Sequence, residues 1–301
     1  MSYKIGSFNI QNFTVSSSTK REINYEKIAE IIQSEKFDII ALQEVLKRDA
    51  VKQLVGILGE SKWEFRFDIP ETYAGKSEGY AYIWNNRRID IVKDDNNPMI
   101  YKRYTSHYQY GSQGLARAPY VIRLTPIHVP KAEFRLINTH IAFNKSANYG
   151  EKISTADLRK KEYEILTQDV YRLVSMQRYG DNCAAYTFMM GDYNLCLSGT
   201  ETKIKDTVEV YMAKNLSLIT VQDKKTTLKK SGTAGVDDVY SQDYDHFTFD
   251  KCYKEKMRIQ EDRIEAVGRY CDNDMETYRT KISDHVPIKI VIELKTKGER
   301  V

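Results

Sequence analysis

The chain has 301 residues, of which 41% are hydrophobic and 29% charged, the composition of an ordinary soluble globular protein. Its net charge of +4 is compatible with a polyanionic substrate but too small for a dedicated nucleic-acid-coating protein. The sequence shows no apolar leader and no apolar run as long as a membrane span, so we expect a cytoplasmic protein without a membrane partner. The four cysteines lack zinc-finger spacing, and we expect reduced thiols, with two disulfides as the alternative.

The first part of the chain alternates predicted strands and helices. Residues 3–10 and 37–42 are short apolar runs that are typical of buried strands. Residues 24–36 place isoleucines at helical spacing after Asn24, a suitable N-cap, and residues 49–58 form a second amphipathic pattern. The chain is therefore predicted to begin strand, helix, strand, helix.

The rest of the chain mixes strands joined by turns with strands joined by helices. A long helix is predicted at 155–177, a short one at 208–214, and a hairpin turn at 85–88. The predicted strands are 63–69, 79–84, 89–92, 120–124, 134–140, 186–190, 247–249, 263–267 and 287–294. This mixture indicates two packed sheets with helices outside. No repeat or linker divides the chain, so we expect one domain over residues 1–301.

Polar side chains follow several of these strands, in order along almost the whole chain. They are Asn9, Glu44, His140, Asp192, Asn194, Asp284 and His285. Because strand ends of this kind converge on one edge of a sheet, we expect these side chains to meet there. Their order and spacing point to metal-dependent hydrolysis of a phosphate ester.

The residue types fit that chemistry. Mg²⁺ takes one or two carboxylates and keeps several waters, which suits Glu44 and Asp284 with Asn9 and Asp192 as neighbours. The glycine before Asp192 permits a tight backbone and close approach of a substrate. Taken alone, a glutamate after a strand is more commonly a solvated loop residue, and an Asp-Tyr-Asn segment a turn.

Two histidines can transfer protons near neutral pH, which hydrolysis of an ester requires. His140 ends one predicted strand, and His285 follows Asp284 just before the last one. A single histidine at a strand end is more often hydrogen-bonded to the backbone. Two histidines, each beside a candidate metal or phosphate ligand, favour catalysis over that ordinary role.

Eight segments together carry a family resemblance. They are Phe8-Asn9-Ile10, Leu42-Gln43-Glu44-Val45, Ser77-Glu78-Gly79-Tyr80, Arg117-Ala118-Pro119-Tyr120, Thr139-His140, Gly191-Asp192-Tyr193-Asn194, Tyr244-Asp245-His246-Phe247 and Ser283-Asp284-His285-Val286-Pro287. In this order they resemble the motifs of the endonuclease/exonuclease/phosphatase superfamily, and most closely its deoxyribonuclease I-like branch. The resemblance extends from residue 3 to residue 294.

The resemblance implies an α/β (α+β) fold, a four-layer α/β/β/α sandwich of two mixed sheets flanked by helices. It implies that Glu44 and Asp284 hold Mg²⁺, with Mn²⁺ or Ca²⁺ as alternatives. The residues implied to position phosphate and water are Asn9, Arg117, Asp192 and Asn194. The site is expected at one edge of the sandwich.

The resemblance also assigns two catalytic pairs. Glu78 would orient His140 as general acid, and Asp245 would orient His285 as general base. A carboxylate paired with a histidine fixes the tautomer of the ring and raises its basicity, so both pairings are chemically sensible.

The implied function is a Mg²⁺-dependent, deoxyribonuclease I-like endonuclease that cuts DNA. Arg117, Lys47-Arg48 and the lysine-bearing loop at 222–243 favour a nucleic acid, although such a loop is as often a solvated turn. Two alternatives remain: a phosphatase or phosphodiesterase for a small-molecule or lipid phosphate, and a non-catalytic binding module. We expect a monomer, and an inhibitor or regulatory partner is one way to restrain a cytoplasmic nuclease.

Two departures from the branch concern duplex recognition. Lys76 stands where the branch carries an aromatic residue that packs into the minor groove. The cysteine spacing after Asn194 also differs from the disulfide pattern of the branch. Both leave the expected chemistry intact but remove support for duplex DNA as the substrate.

Overall fold

Two sheets pack against each other in the computed structural model. It describes residues 1–15, 21–70, 78–94, 97–100, 115–129, 131–143, 154–179, 184–197, 218–230 and 239–294. Within these residues the chain forms one sheet of six strands and one of seven.

The first sheet joins the beginning and the end of the described chain. Its strands are β1 (Ser2–Phe13), β2 (Ile39–Val45), β3 (Trp63–Asp68), β4 (Gly79–Asn85), β12 (Met257–Arg263) and β13 (Ile288–Leu294). They lie in the order β12-β13-β1-β2-β4-β3. Strands β1 and β2 are parallel and the other pairs antiparallel, so this sheet is mixed.

The second sheet contains the central strands of the chain. They are β5 (Ile89–Ile91), β6 (Met99–Ile100), β7 (Tyr120–Pro126), β8 (Ala132–His140), β9 (Ala184–Asp192), β10 (Leu218–Val221) and β11 (Asp245–Asp250). Their order is β10-β11-β9-β8-β7-β5, with β6 also paired to β7. Only β8 and β9 run parallel among these strands.

Helices flank the two sheets, most of them on the outer faces. They are α1 (Tyr25–Ser34), α2 (Arg48–Leu58), α3 (Thr155–Ile165), α4 (Arg172–Met176), α5 (Tyr253–Lys256), α6 (Ala266–Tyr270) and α7 (Met275–Lys281). A π-helical segment, Leu166–Tyr171, joins α3 to α4. The predicted N-cap at Asn24 is formed, because its side chain accepts a hydrogen bond from the amide of Lys27 at 2.9 Å. In the described part of the chain, every helix is too short or too polar to cross a membrane.

Alternation along the strands divides the core into three layers. In β2, Ile40 and Leu42 pack against α1 and α2, whereas Ile39 and Ala41 face the second sheet. In the second sheet, residues such as Ile137 face α3 and its π-helical extension. The result is helices, sheet, sheet, helices, which confirms the predicted four-layer α/β/β/α sandwich.

A buried polar bridge ties the two sheets together beneath one edge. Gln43 of β2 donates from Nε2 to Oδ1 of Asn138 in β8 at 2.7 Å, and to Oγ of Ser7 at 3.1 Å. Asn138 in turn donates from Nδ2 to the carbonyl of Leu42 at 3.0 Å. Because a buried hydrogen-bonded amide pair fixes direction as well as distance, this bridge sets the position of Glu44 relative to His140.

Two local predictions are wrong. Residues 85–88 do turn the chain, but β4 and β5 belong to different sheets, so the turn is a crossover and not a hairpin. Residues 263–267 are not a strand: β12 ends at Arg263, and α6 begins at Ala266. The helix predicted at 208–214 lies outside the described residues. The three described cysteines form no disulfide.

Candidate active site

Strand direction brings the predicted residues to one edge of the sandwich. The register places His140 beside Asp192, and Asp192 beside Asp245, because β8 and β9 end where the antiparallel β11 begins. In the first sheet, β13 begins at Ile288 beside Ser7 of β1, so Asp284 and His285 lie just before this strand, near Asn9. Eight of the ten predicted residues line one cleft of about 590 Å³: Glu44, Glu78, Arg117, His140, Asp192, Asn194, Asp284 and His285. Asn9 and Asp245 are fully buried behind it.

Glu44 is held in a fixed direction by its backbone and by two hydrogen bonds. A bulge interrupts β2 here, and Glu44 adopts φ 57°, in the left-handed region that few residues other than glycine occupy. Its carboxylate accepts from Nδ2 of Asn9 at 3.0 Å and from the amide of Asn12 at 3.1 Å. Burial raises the pKa of Glu44, and the nearby negative charges of Glu78 and Asp284 raise it further.

The candidate metal site consists of Glu44 and Asp284. Each lines the cleft, and their charges are close enough to repel. No set of three or more His, Cys, Asp or Glu side chains in the described residues is arranged to hold an ion. Two mutually repelling carboxylates at an open cleft nevertheless fit a hard divalent cation that keeps waters and takes a phosphate oxygen.

Asn9 connects the candidate metal ligand to the centre of the site. Its Nδ2 atom donates to Glu44 Oε1 and to Asp192 Oδ2, both at 3.0 Å. The amide of Gln11 donates to Asn9 Oδ1 at 3.1 Å, which fixes the amide orientation. Asn9 therefore links the two sheets. It does not line the cleft itself, but it positions Glu44 and Asp192, which do.

His285 and Asp245 form a tight pair. Nδ1 of His285 lies 2.7 Å from Oδ2 of Asp245, and Nε2 lies 3.6 Å from Oδ2 of Asp192. Because a carboxylate only accepts, Nδ1 carries the proton and Nε2 faces the cleft. Burial lowers the pKa of His285, but the negative charges of Asp245 and Asp192 outweigh it and raise the pKa well above its usual value.

His140 has a looser relationship with its carboxylate. Nδ1 of His140 lies 3.6 Å from Oε2 of Glu78, and the same oxygen pairs with Nη2 of Arg117 at 2.5 Å. Nε2 of His140 lies 3.6 Å from Asp192 Oδ2, and its backbone amide donates to the hydroxyl of Tyr80 at 3.0 Å. Arg117 thus engages Glu78 and lines the cleft at the same time.

Asp192 lies between the two histidines. Burial raises the pKa of Asp192 to about 7, with the charge of Asp245 adding to the effect and that of His285 opposing it. Gly191 has φ 146°, and a Cβ atom there would lie 1.8 Å from the carbonyl oxygen of Thr139. The close approach of β8 and β9 therefore requires a glycine at this position.

Asn194 faces the cleft from a strained turn after β9. It has φ 48°, its amide donates to Asp192 Oδ1 at 2.9 Å, and its Nδ2 donates to the carbonyl of Ile141 at 2.8 Å. The second N–H of that side-chain amide can serve a ligand. The turn thus fixes Asn194 beside the end of β8.

Sequence reasoning assigned no role to three residues that organise the site. Ser283 donates from Oγ to the carbonyl of Asn9 at 2.7 Å and accepts from the amide of His285 at 3.0 Å. Arg21 donates from Nε to the carbonyl of Thr280 at 2.9 Å and from its terminal nitrogens to the carbonyls of Ile282 and Gln11. These contacts join the loops around Glu44 and Asp284. The third residue to which sequence reasoning assigned no role is Glu162.

Glu162 projects from α3 into the core beside His140. Its Oε1 accepts from the amide of Ala116 at 2.8 Å, and its Oε2 accepts from the amide of Ala142 at 3.0 Å. Burial raises the pKa of Glu162, which the two amides partly offset. A sequence signal existed, since Glu162 lies four residues from both Leu158 and Leu166 on the apolar face of the helix.

Only part of the lysine-bearing loop reaches the site. Residues 231–238 lie outside the described part of the chain. Lys230 and Thr227 line the cleft, whereas Lys224 pairs with Asp262 at 2.7 Å on the surface. The amide of Leu228 donates to the carbonyl of Asp284 at 2.8 Å, so the loop also supports a candidate metal ligand.

Comparisons with known proteins support the fold. No protein-family model matches the sequence, and no curated protein matches it. Solved structures, by contrast, match the fold of this chain. An endonuclease/exonuclease/phosphatase family protein from Bacteroides thetaiotaomicron has 15% identity and a TM-score of 0.60, covering 98% of this chain and 99% of that one.

Two further structures extend the comparison. A mannosyl-6-phosphatase from the same organism has 16% identity and a TM-score of 0.57, covering 96% of this chain and 99% of that one. TDP2 from D. rerio, complexed with a single-strand DNA product, has 14% identity and a TM-score of 0.59, covering 97% and 100%. This chain therefore has the endonuclease/exonuclease/phosphatase fold that its sequence motifs predict.

Proposed function

We propose that this chain is a metal-dependent phosphodiesterase that cleaves nucleic acid, with DNA as the first substrate to test. The observation that carries the proposal is the convergence of two histidines on Asp192. Nε2 of His140 and Nε2 of His285 each lie 3.6 Å from the same carboxylate oxygen. Two proton-transfer groups close to one position are what hydrolysis of an ester needs.

In the proposed reaction, water attacks phosphorus, and the bond to the leaving oxygen breaks. His285 takes the proton of the water at Nε2, because Asp245 engages Nδ1. Asp192 holds the water, and His140 gives a proton to the leaving oxygen. Asn194 donates a hydrogen bond to a phosphoryl oxygen, and Arg117 contributes positive charge.

Glu44 and Asp284 would hold the divalent cation, Mg²⁺ in the first instance and Mn²⁺ or Ca²⁺ as alternatives. When bound, it supplies positive charge that stabilises the phosphoryl oxygens as their charge grows. Asn9 and the amide of Asn12 orient the Glu44 carboxylate for this task, as their hydrogen bonds to it indicate.

Two observations support a nucleic acid. Lys230 puts positive charge on the lining of the cleft, which suits a polyanion. The D. rerio neighbour was solved with a single-strand DNA product. A deoxyribonuclease I-like endonuclease is the form of the proposal that the sequence motifs favour.

A phosphatase for a small phosphomonoester is the second candidate. The Bacteroides neighbour of the same fold is a mannosyl-6-phosphatase, and a cleft of about 590 Å³ accepts a sugar phosphate. A monoester substrate would need only the phosphate-binding end of the cleft. The same histidines would then act on a different leaving group.

Plasmid cleavage tests the proposal. Wild type, His285→Ala and His128→Ala are compared with Mg²⁺ and with EDTA. His128 is the matched control, because it is exposed in the turn between β7 and β8, at the opposite end of β8 from His140. We expect wild type and His128→Ala to cut, and both EDTA and His285→Ala to abolish cutting.

If wild type leaves plasmid, single-stranded DNA and RNA uncut but hydrolyses a sugar phosphate, the phosphatase replaces the nuclease. If it hydrolyses none of them under any of the three cations, the enzymatic proposal fails. Circular dichroism of each variant separates loss of activity from loss of fold.

A further inference from the structure

One aromatic side chain on the cleft rim has no role in the proposed chemistry. Phe143, three residues after His140, is 49% exposed. It lines the cleft, and its ring centroid lies 6.4 Å from that of Tyr244, with the planes inclined by 59°. Single exposed apolar residues are common, so exposure alone does not indicate a binding site. The contacts that hold Phe143 in position do carry information.

Arg159 holds the Phe143 side of this ring pair in place. Its Nε and Nη2 atoms donate to the carbonyl of Phe143 at 3.0 and 2.5 Å, and Nη1 donates to the carbonyl of Asn194 at 3.0 Å. The guanidinium carbon lies 4.5 Å from the centroid of the Phe143 ring. The positive charge of Arg159 also acts on Tyr244, where it opposes the burial that raises the pKa of the hydroxyl. Arg159 therefore fixes Phe143 relative to a residue of the candidate active site and lies close to Tyr244.

We propose that Phe143 and Tyr244 form a stacking subsite for a nucleobase next to the scissile phosphate. A ring that is already fixed loses little conformational freedom when a flat partner stacks on it. Every base has an aromatic face, so such a subsite is tolerant of sequence. The inference rests on the proposed function and narrows its substrate to nucleic acid with unpaired bases.

The preference for unpaired bases follows from geometry. In a regular duplex each base is already stacked between its neighbours, and its face is not available to a side chain. A single strand or an open end offers that face without the free-energy cost of unstacking a base. The departure at Lys76, where the deoxyribonuclease branch has a groove-packing aromatic residue, agrees with this reading.

Binding and cleavage of two matched oligonucleotides test the subsite. Both have the same single-stranded phosphodiester backbone, one with thymine at every position and one with abasic tetrahydrofuran units. Dissociation constants are measured by fluorescence anisotropy in EDTA, so that no hydrolysis occurs. Base–aromatic stacking contributes about 1–3 kcal/mol, so we expect wild type to bind the thymine strand roughly 5- to 150-fold more tightly.

The variants are Phe143→Ala, Phe143→Leu and Phe143→Trp, with Met176→Ala as control. Met176 is 63% exposed at the end of α4, outside the cleft lining. We expect Phe143→Ala to abolish the preference, Phe143→Leu to lose most of it, and Phe143→Trp and Met176→Ala to keep it. The leucine variant separates stacking from loss of apolar area.

Two results would overturn the inference. One is a wild type that binds both strands equally or neither; the other is a preference that Phe143→Ala leaves unchanged. Cleavage with metal present is read separately. A protein that prefers the thymine strand but never cuts it keeps the subsite and loses the proposed function. A protein that cuts both strands equally keeps the function and loses the subsite.

Discussion

The two histidines of the candidate site have similar burial but different support. Both are less than one-tenth exposed, and both lie 3.6 Å from Asp192. His285 has a carboxylate of its own, Asp245, at 2.7 Å. His140 lies 3.6 Å from Glu78, whose oxygen is shared with Arg117 at 2.5 Å.

This difference separates two ways of positioning a proton-transfer group. On the His285 side, a short carboxylate contact fixes the tautomer and raises the pKa of the ring. On the His140 side, Arg117 neutralises the carboxylate, and backbone contacts fix the strand end instead. The first arrangement favours a group that takes a proton, and the second a group that gives one.

The largest expected effect comes from removing the carboxylate that the two sides share. Asp192→Asn keeps the shape of the side chain but removes the charge that faces both imidazoles. We expect kcat to fall by about 10³-fold, within the range for loss of general acid–base function. Steady-state kinetics on the substrate identified in the cleavage assay measure it. A fall of less than about tenfold would mean that Asp192 does not join the two sides.

The comparison itself is tested by Asp245→Asn against Glu78→Gln. We expect Asp245→Asn to lower kcat/KM by about 100-fold and Glu78→Gln by about tenfold, because the Asp245–His285 contact is 2.7 Å and the Glu78–His140 contact 3.6 Å. Equal losses would show that the 3.6 Å separation between His140 and Glu78 closes when substrate binds.

The same two variants differ in their expected pH dependence. If neutral His285 accepts the proton, kcat/KM rises with pH through the pKa of that ring. Asp245 raises this pKa, so Asp245→Asn lowers it and moves the rising limb to lower pH. We expect Glu78→Gln to leave the rising limb of the kcat/KM–pH profile at the same pH. An equal shift in both variants contradicts the division of roles.

Local patterns predicted two packed sheets with helices outside and the edge where the polar residues meet, and the family resemblance implied the four-layer sandwich. An apolar run followed by one polar residue predicts a strand end, and strand ends share an edge. The turn at residues 85–88 shows the limit. Its residues determine that the chain turns, but sheet membership of β5 depends on pairing with β7, more than thirty residues later.

The unequal support of the two histidines was not predictable from motifs. Glu78 and Asp245 both stand in segments that resemble orienting acids, and nothing local distinguishes 2.7 Å from 3.6 Å. The difference arises because Arg117 enters from the loop before β7 and binds Glu78. That contact joins residues thirty-nine positions apart, and the periodicity of a helix or strand cannot predict a contact at that separation.

An effect as small as that of Glu78→Gln tests the backbone support of the His140 side. Glu162→Gln leaves one oxygen to accept an amide, but its NH₂ group then faces the second amide, and that buried donor loses its acceptor. We expect the free energy of unfolding to fall by about 1–3 kcal/mol. Because the affected segments carry Arg117 and His140, we also expect kcat/KM to fall by roughly tenfold.

Glu164→Gln is the matched control. It lies two residues further along α3, pairs with Lys161 at 3.1 Å, and is partly exposed. Because exposed ion pairs contribute little, we expect urea unfolding and kcat/KM to stay close to wild type. Glu162→Gln should lower kcat/KM without moving the rising pH limb, since His285 and Asp245 are untouched. A shifted limb would mean that Glu162 acts on both histidines, and the two sides would then not be separately supported.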